Sequence, residues 1–199
     1  MNTVKKIFVL LLLLVAAYLV AAFLGKSSYR VEREKVVEAP SSLVYNQVSI
    51  LRNWSNWSPW QEKDPSMQLR FEGQDGQTGA TMHWEGDKKL SGKGFITIEK
   101  LESPTSVGYV LAFVEPFTSK SSGGFTFQQE AENRTRVKWQ DTWDIPFAFR
   151  PLMMFMDMDK QVGPDFERGL TRMDSVCRTF YAEGLRATQA DTTQQLLQQ

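Results

Sequence analysis

The 199-residue sequence is poor in the groups on which most enzyme chemistry rests. It has a single cysteine, Cys177, so no internal disulfide is available, and that residue falls on the apolar side of a helical pattern, as a small buried hydrophobe would. It has a single histidine, His83, which strand alternation turns outward with Thr81 and Glu85; without a second histidine, neither a metal site nor a histidine-based catalytic group is indicated. The acidic residues form no close cluster resembling a metal-ligand set, and no Gly-rich phosphate loop occurs. Charge of one sign is also lacking. The 23 basic residues match 23 acidic ones, so no overall field draws the chain to nucleic acid. These shortages lead us to expect no metal, no cofactor, no nucleic-acid partner and no assignable catalytic residue. What remains is apolar: 42% hydrophobic against 23% charged residues places the chain among globular proteins, and its length suits one domain with appendages.

One appendage is at the N-terminus. After a short tail of residues 1–6 ending in Lys5 and Lys6, the run Ile7 to Leu24 has no charged residue. Eighteen residues at 1.5 Å each reach about 27 Å, close to the ~30 Å hydrocarbon thickness of a bilayer. A cleavable signal peptide normally has a shorter apolar core of roughly 7–15 residues, and Val20-Ala21-Ala22 is only a passable cleavage pattern. We therefore read residues 7–24 as a transmembrane anchor and 25–28 as a linker. Lys5 and Lys6 favour an inside N-terminus, while Lys26, Arg30, Arg33 and Lys35 pull the other way. The short tail decides for a single-pass protein of a bacterial inner membrane with its domain on the periplasmic side.

Residues 29–186 read as one domain. Tyr29 to Glu38 alternates as a first strand, Pro40-Ser41-Ser42 stops it, and Leu43, Val44, Gln47, Val48 and Leu51 follow at helical spacing. Trp54, Trp57 and Trp60 recur at steps of three, fitting a second short helix or a 3₁₀ turn ended by Pro59. From Met67 to Asp144, six alternating runs are separated by polar turns, the pattern of an antiparallel meander with one buried face. Gly123-Gly124 within it suggests a bulge or bend. Near the C-terminus Val162, Phe166, Leu170, Met173, Val176, Cys177 and Phe180 share one helical face, with Asp165 and Asp174 among the polar residues opposite; Gly163-Pro164 is expected to kink or restart the helix. Residues 187–199, polar and Gln-rich, read as a disordered tail.

The order strand, two short helices, six strands and long helix resembles the helix-grip fold, and several segments resemble one superfamily. They include Val36-Val37-Glu38-Ala39-Pro40-Ser41-Ser42-Leu43-Val44-Tyr45, Trp57-Ser58-Pro59-Trp60, Gly79 to Gly86, Gly92 to Ile98, Thr135 to Trp139, and Gly163-Pro164-Asp165-Phe166-Glu167-Arg168-Gly169-Leu170. Together they are similar to the SRPBCC superfamily in its polyketide cyclase/dehydrase-like branch, which is related to START lipid-transfer domains and the major birch pollen allergen. The resemblance implies an α+β helix-grip fold: a curved antiparallel sheet of about seven strands around a long C-terminal helix, here with one N-terminal transmembrane helix. It implies a ligand pocket between sheet and helix, and a loop carrying Trp54, Trp57 and Trp60 that closes one end of the sheet; a place at a membrane interface stays open for these tryptophans.

The inward aromatic residues suit such a pocket. We expect it to be lined by Trp84, Ile96, Tyr109, Leu111, Phe113, Phe125, Phe127, Trp139, Asp141, Trp143, Met156, Phe166, Leu170 and Met173. Asp141 is the most informative of these, because alternation sets a carboxylate between two inward tryptophans, where an unpaired one is costly; two readings stay open, acceptance of a hydrogen bond from a ligand's polar head, or a place near the sheet rim or a pairing with Arg or Lys. The Met-rich segment Pro146 to Met156 admits three roles: a lid over the pocket, a surface touching the bilayer, or core packing. The leading expectation is a non-catalytic, membrane-anchored binding domain for a hydrophobic small molecule or lipid. Two alternatives stay open: an aromatase/cyclase-like enzyme using Asp141 or Tyr109 as acid or base, and a protein-interaction module assisting a membrane complex.

Overall fold

A computed structural model of the chain describes residues 3–116 and 118–197, the side chains of 190–197 excepted. Helix α1 (Thr3–Leu24) is long and apolar enough to cross a membrane, a property that a signal sequence shares; nearly all its side chains are exposed. Strand β1 (Ser28–Val37) follows, then α2 (Ser41–Ser49), a 3₁₀ turn at Leu51–Asn53, α3 (Trp54–Trp57) and α4 (Pro59–Lys63). Pro59 opens α4, where its missing N–H would be unpaired anyway.

Strands β2 (Gln68–Glu72), β3 (Thr81–Glu85), β4 (Lys93–Glu102), β5 (Ser106–Glu115), β6 (Ser119–Ala131) and β7 (Arg134–Asp144) form an up-and-down meander. The sheet is antiparallel throughout in the order β1-β7-β6-β5-β4-β3-β2, so β1 returns to pair with the last strand. After β7 come a 3₁₀ turn at Phe147–Phe149, α5 (Arg150–Met153) and the long helix α6 (Met158–Leu197).

The burial pattern of β4 and β7 alternates strictly enough to explain the single buried face: Ile96 and Ile98, then Thr135, Val137, Trp139 and Asp141, point inward. Helix α6 lays Phe166, Leu170, Met173 and Cys177 on that face, all fully buried, whereas Phe180 is largely exposed and marks where the packed stretch ends. Burial pushes the Cys177 thiol up to about 12, with the nearby Asp174 carboxylate adding to the shift.

Polar clasps hold the helix in the sheet's grip. Arg33 on β1 donates to both oxygens of Asp159 at 2.7 and 2.9 Å and to Glu167 at 2.6 Å, one turn on either side of Gly163. These carboxylates raise the guanidinium's already high pKa, the Asp159 bonds most. Asp165 pairs with Lys63 at 2.6 Å and Asp174 accepts the Glu38 backbone N–H at 3.0 Å; both aspartates are buried, although periodicity assigns them to the solvent side. Arg33→Gln is expected to lower stability by about 1–2 kcal/mol, because it breaks a forked, partly shielded network rather than one exposed pair. Thermal unfolding at low and high salt checks this: the gap between the two proteins narrows in high salt.

Three expectations are corrected. Helix α6 starts at Met158 and runs through Pro164 without restarting; the proline lies early in the helix, and the sheet contacts on its following turns hold it in line. The helix also continues to Leu197 across the segment expected to be a disordered tail, since 187–197 contain neither proline nor glycine to end it; residues 198 and 199 lie outside the described residues. Finally, Gly123 and Gly124 keep regular register with both neighbours, while the irregularities fall at 93/94, 98/100 and 129/131.

Candidate functional site

A cavity of about 80 Å³ lies between strands β3, β4, β5 and β7 and the segment carrying Trp54, Ser58, Trp60 and Met67. Among the expected residues, Trp84, Ile96, Tyr109, Leu111, Phe113, Trp139 and Asp141 line it. The others do not. Phe125, Phe127, Phe166, Leu170 and Met173 form solid core, Trp143 is half-buried outside the wall, and Met156 lines a separate cavity beside α1.

The reason is an aromatic stack. Trp139 lies flat on Phe166 of α6, with ring centroids 4.1 Å apart and planes within 2°, and on Phe125 at 4.8 Å. Those rings close the space under α6, so the long helix contributes no wall. Contacts of this kind add about 0.5–1.5 kcal/mol per pair beyond their burial. The void survives only on the other side of Trp139, under the tryptophan segment. That segment is core and wall at once: Trp54 and Trp57 are buried and donate their indole N–H groups to the Val48 and Gln47 carbonyls at 2.8 and 2.9 Å.

Sequence reasoning placed these tryptophans at one end of the sheet and missed their role as cavity wall. It also missed Met67, Met82 and Ser91. The step-of-three tryptophans were the available signal, since a short helix with rings on one face must set them against something apolar.

Apart from Ser58 and Ser91, the wall is apolar except at one corner. There the Trp139 indole N–H donates to the Tyr109 hydroxyl oxygen at 2.6 Å, leaving the Tyr109 proton for the Asp141 carboxyl beside it. Asp141 is 2% exposed, and its Oδ1 is buried without a hydrogen-bond partner. Desolvation lifts its pKa to about 7, partly offset by the Tyr109 hydroxyl. Burial, then the Asp141 charge, push the Tyr109 phenol well above its usual range.

Asp64 provides the contrast. It is equally buried, but its oxygens accept from the Ser66 hydroxyl and N–H, the Asp87 N–H and the Ser91 hydroxyl, which hold its pKa down at about 2. Asp64 ties the Gly86–Gly92 turn in place, and Ser91 of that turn both lines the cavity and accepts the Trp84 indole N–H at 3.0 Å through its carbonyl. One buried carboxyl is thus saturated with donors, and the other, on a residue that lines the cavity, keeps an unpartnered oxygen.

His83 stands outside this site, half-buried on the far face with Nε2 3.1 Å from Glu72. No group of three or more potential metal-binding side chains occurs among the described residues.

Known structures share the architecture. Ara h 8.0201 superposes with a TM-score of 0.54 at 14% identity, covering 76% of this chain and 99% of its own. The major latex-like protein 151 of Panax ginseng gives 0.55 at 9% identity over 75% and 97% of the two chains. A point mutant of norcoclaurine synthase from Thalictrum, solved with a transition-state analogue, gives 0.57 at 9% identity over 77% and 96%. At such identities these likenesses speak for the fold alone. No curated protein sequence matches the chain. The family described as polyketide cyclase / dehydrase and lipid transport matches residues 28–178, the whole sheet together with the gripping part of α6. The chain belongs to that family.

Proposed function

We propose that this protein is a membrane-anchored binding domain for an apolar small molecule or lipid carrying a hydrogen-bond donor, such as a hydroxyl or amine, and that Asp141 receives that donor. The observation behind this is the buried, unpartnered Oδ1 of Asp141, a residue that lines a mostly apolar cavity. Leaving such an oxygen unpaired costs about 1–3 kcal/mol, which a ligand donor would recover. Ligand pockets for drug-sized molecules run to about 300 Å³ or more, so the ligand must make room. Met67 and Met82 on the wall are the unbranched side chains best able to move aside. Anchoring rests on α1, whose 22 residues exceed the span of the hydrocarbon layer.

A fluorescent long-chain alcohol and its methyl ether test the reading on the full chain in detergent. The alcohol should bind at least about tenfold more tightly, since a hydrogen bond to a carboxylate contributes roughly 1.5–3 kcal/mol. Met67→Trp should abolish binding by plugging the half-buried wall while leaving stability nearly unchanged. Equal affinity for alcohol and ether, or binding that survives the plug, would remove the proposal.

A second reading has its own support. A carboxyl titrating near 7 next to a phenol is a suitable general base or acid for proton transfer on a carbonyl substrate, as a cyclase requires. It predicts turnover that rises through pH 7 and is lost in Asp141→Asn.

A further inference from the structure

The segment 147–156 exposes an unusual amount of apolar surface. Phe147, Phe149, Leu152 and Met154 are about half exposed and Phe155 is 89% exposed. In a folded domain such a patch marks an interaction surface. Its surroundings indicate what covers it. The patch packs directly against the C-terminal turns of α1: the Tyr18 hydroxyl donates to the Ala148 carbonyl, Ala22 is the one fully buried residue of the helix, and a Cβ on Gly25 would sit 2.7 Å from the Arg150 Cβ. The exposed rings of the segment and the exposed Leu19, Val20, Phe23 and Leu24 of the helix therefore belong to one apolar surface.

Depth follows from helix geometry. Tyr18 lies six residues before Leu24, about 9 Å along the axis at 1.5 Å per residue. The Tyr18 hydroxyl reaches the Ala148 carbonyl and Gly25 abuts Arg150, so the segment lies beside the last two turns of the anchor. That is the depth of an element lying at the headgroup–acyl boundary, roughly 5–10 Å into the apolar layer. Where segment and helix meet, Lys26 and Arg150 line a cavity of about 310 Å³ with Leu24, Ile145 and three methionines, and neither cation is paired with a carboxylate among the described residues. Cations at that level suit lipid phosphates.

We infer that residues 147–156 form a second membrane element, a half-inserted apolar lobe that seats the domain on the lipid bilayer beside its anchor. The inference rests on the anchor reading of α1. It also orients the binding cavity. Residues 111 and 113 of β5, 139–141 of β7 and 84 of β3 occupy the halves of their strands nearest the lobe, as the antiparallel register with Asp144 and Glu115 requires, and Tyr109 lies next to the middle of β5. The seated domain thus holds the cavity's end of the sheet towards the lipid.

The test uses the full chain in phosphatidylcholine vesicles with single introduced cysteines carrying an environment-sensitive fluorophore. Native Cys177 does not interfere, because it is fully buried and its thiol is held at about 12. Phe155→Cys probes the lobe, Leu12→Cys the anchor, and Asn133→Cys the opposite end of the sheet. Phe155 is so exposed that its replacement leaves the fold intact. The lobe is supported when the label at 155 is blue-shifted and quenched by lipids with a nitroxide near the headgroup, while the label at 133 keeps a water-like emission. A water-like signal at 155 with lipid quenching at 12 overturns the lobe and leaves the anchor standing. A water-like signal at both positions overturns the anchor and the lobe with it.

Discussion

Asp141→Asn is expected to make the folded protein more stable at pH 8. The carboxyl's pKa of about 7 in the folded chain stands above its ordinary value of 3.8, so the folded state holds its proton more tightly than the unfolded state does. Stability then falls as pH rises: the penalty is absent below about pH 4, grows between pH 4 and 7, and stays constant above. Three pH units at about 1.4 kcal/mol each put it on the order of 4 kcal/mol. Asparagine removes the charge, but introduces a buried amide whose unpaired N–H costs about 1–3 kcal/mol. The larger effect wins at pH 8, leaving the variant ahead by about 1–3 kcal/mol, and the order reverses at pH 4, where the wild-type carboxyl is already neutral. Urea unfolding of the full chain in detergent at the two pH values decides this. Two proteins whose stabilities differ equally at both would show that Asp141 is not desolvated as described. A protein that retains such a penalty at its cavity corner is spending stability on something other than folding, and a ligand donor is the partner that the geometry accommodates.

How far the sequence anticipated this site depends on which physical signal each residue carries. Strand alternation is strict in β4 and β7, so Ile96, Trp139 and Asp141 were legible as inward residues, and the antiparallel meander of β2 to β7 followed from turn spacing, whereas the pairing of β1 with β7 did not. Alternation, however, gives a direction and no depth. It cannot separate Phe125 and Phe127, which are consumed by stacking, from Leu111 and Phe113, which face the void; that difference arises because Trp139 lies flat on Phe166 from a segment 27 residues further on. Helical periodicity had the same blind spot for α6, whose apolar face was read correctly as buried but was assigned to a cavity it only seals. Asp64 was illegible for another reason. Its donors come from the backbone of a turn and two serine hydroxyls, and such a constellation leaves no periodic trace. Phe155 and its neighbours carried the opposite ambiguity: an all-round apolar segment reads equally as core, lid or membrane surface until its exposure is known.

Gly123→Ala should be among the most damaging single-methyl additions in the domain. Gly123 lies between Tyr109 on β5 and Asp141 on β7 in regular register, on the buried face of the sheet. A Cβ there would overlap the Asp141 Oδ1 and stand 2.5 Å from the Tyr109 Cζ. Neither group can retreat freely. The Tyr109 hydroxyl accepts the Trp139 indole N–H at 2.6 Å, and Trp139 is wedged between Phe125 and Phe166. Overpacking a core usually costs 1–3 kcal/mol, and a site fixed by hydrogen bonding as well as stacking belongs at the upper end, about 3 kcal/mol. The glycine therefore accounts for the carboxyl's position: its missing side chain is the space that the unpartnered oxygen occupies. If so, Gly123→Ala and Asp141→Ala are coupled, because removing the carboxyl vacates the volume that the new methyl needs. The double variant should be more stable than the sum of the two single losses by about 1–2 kcal/mol, within the range seen for residues in contact. Chemical unfolding of the four proteins at pH 5 measures this coupling with the carboxyl largely neutral. Strict additivity, or a Gly123→Ala loss below about 1 kcal/mol, would mean that the strands separate easily at this point and that the cavity's polar corner is not held as tightly as the Trp139–Tyr109–Asp141 geometry requires.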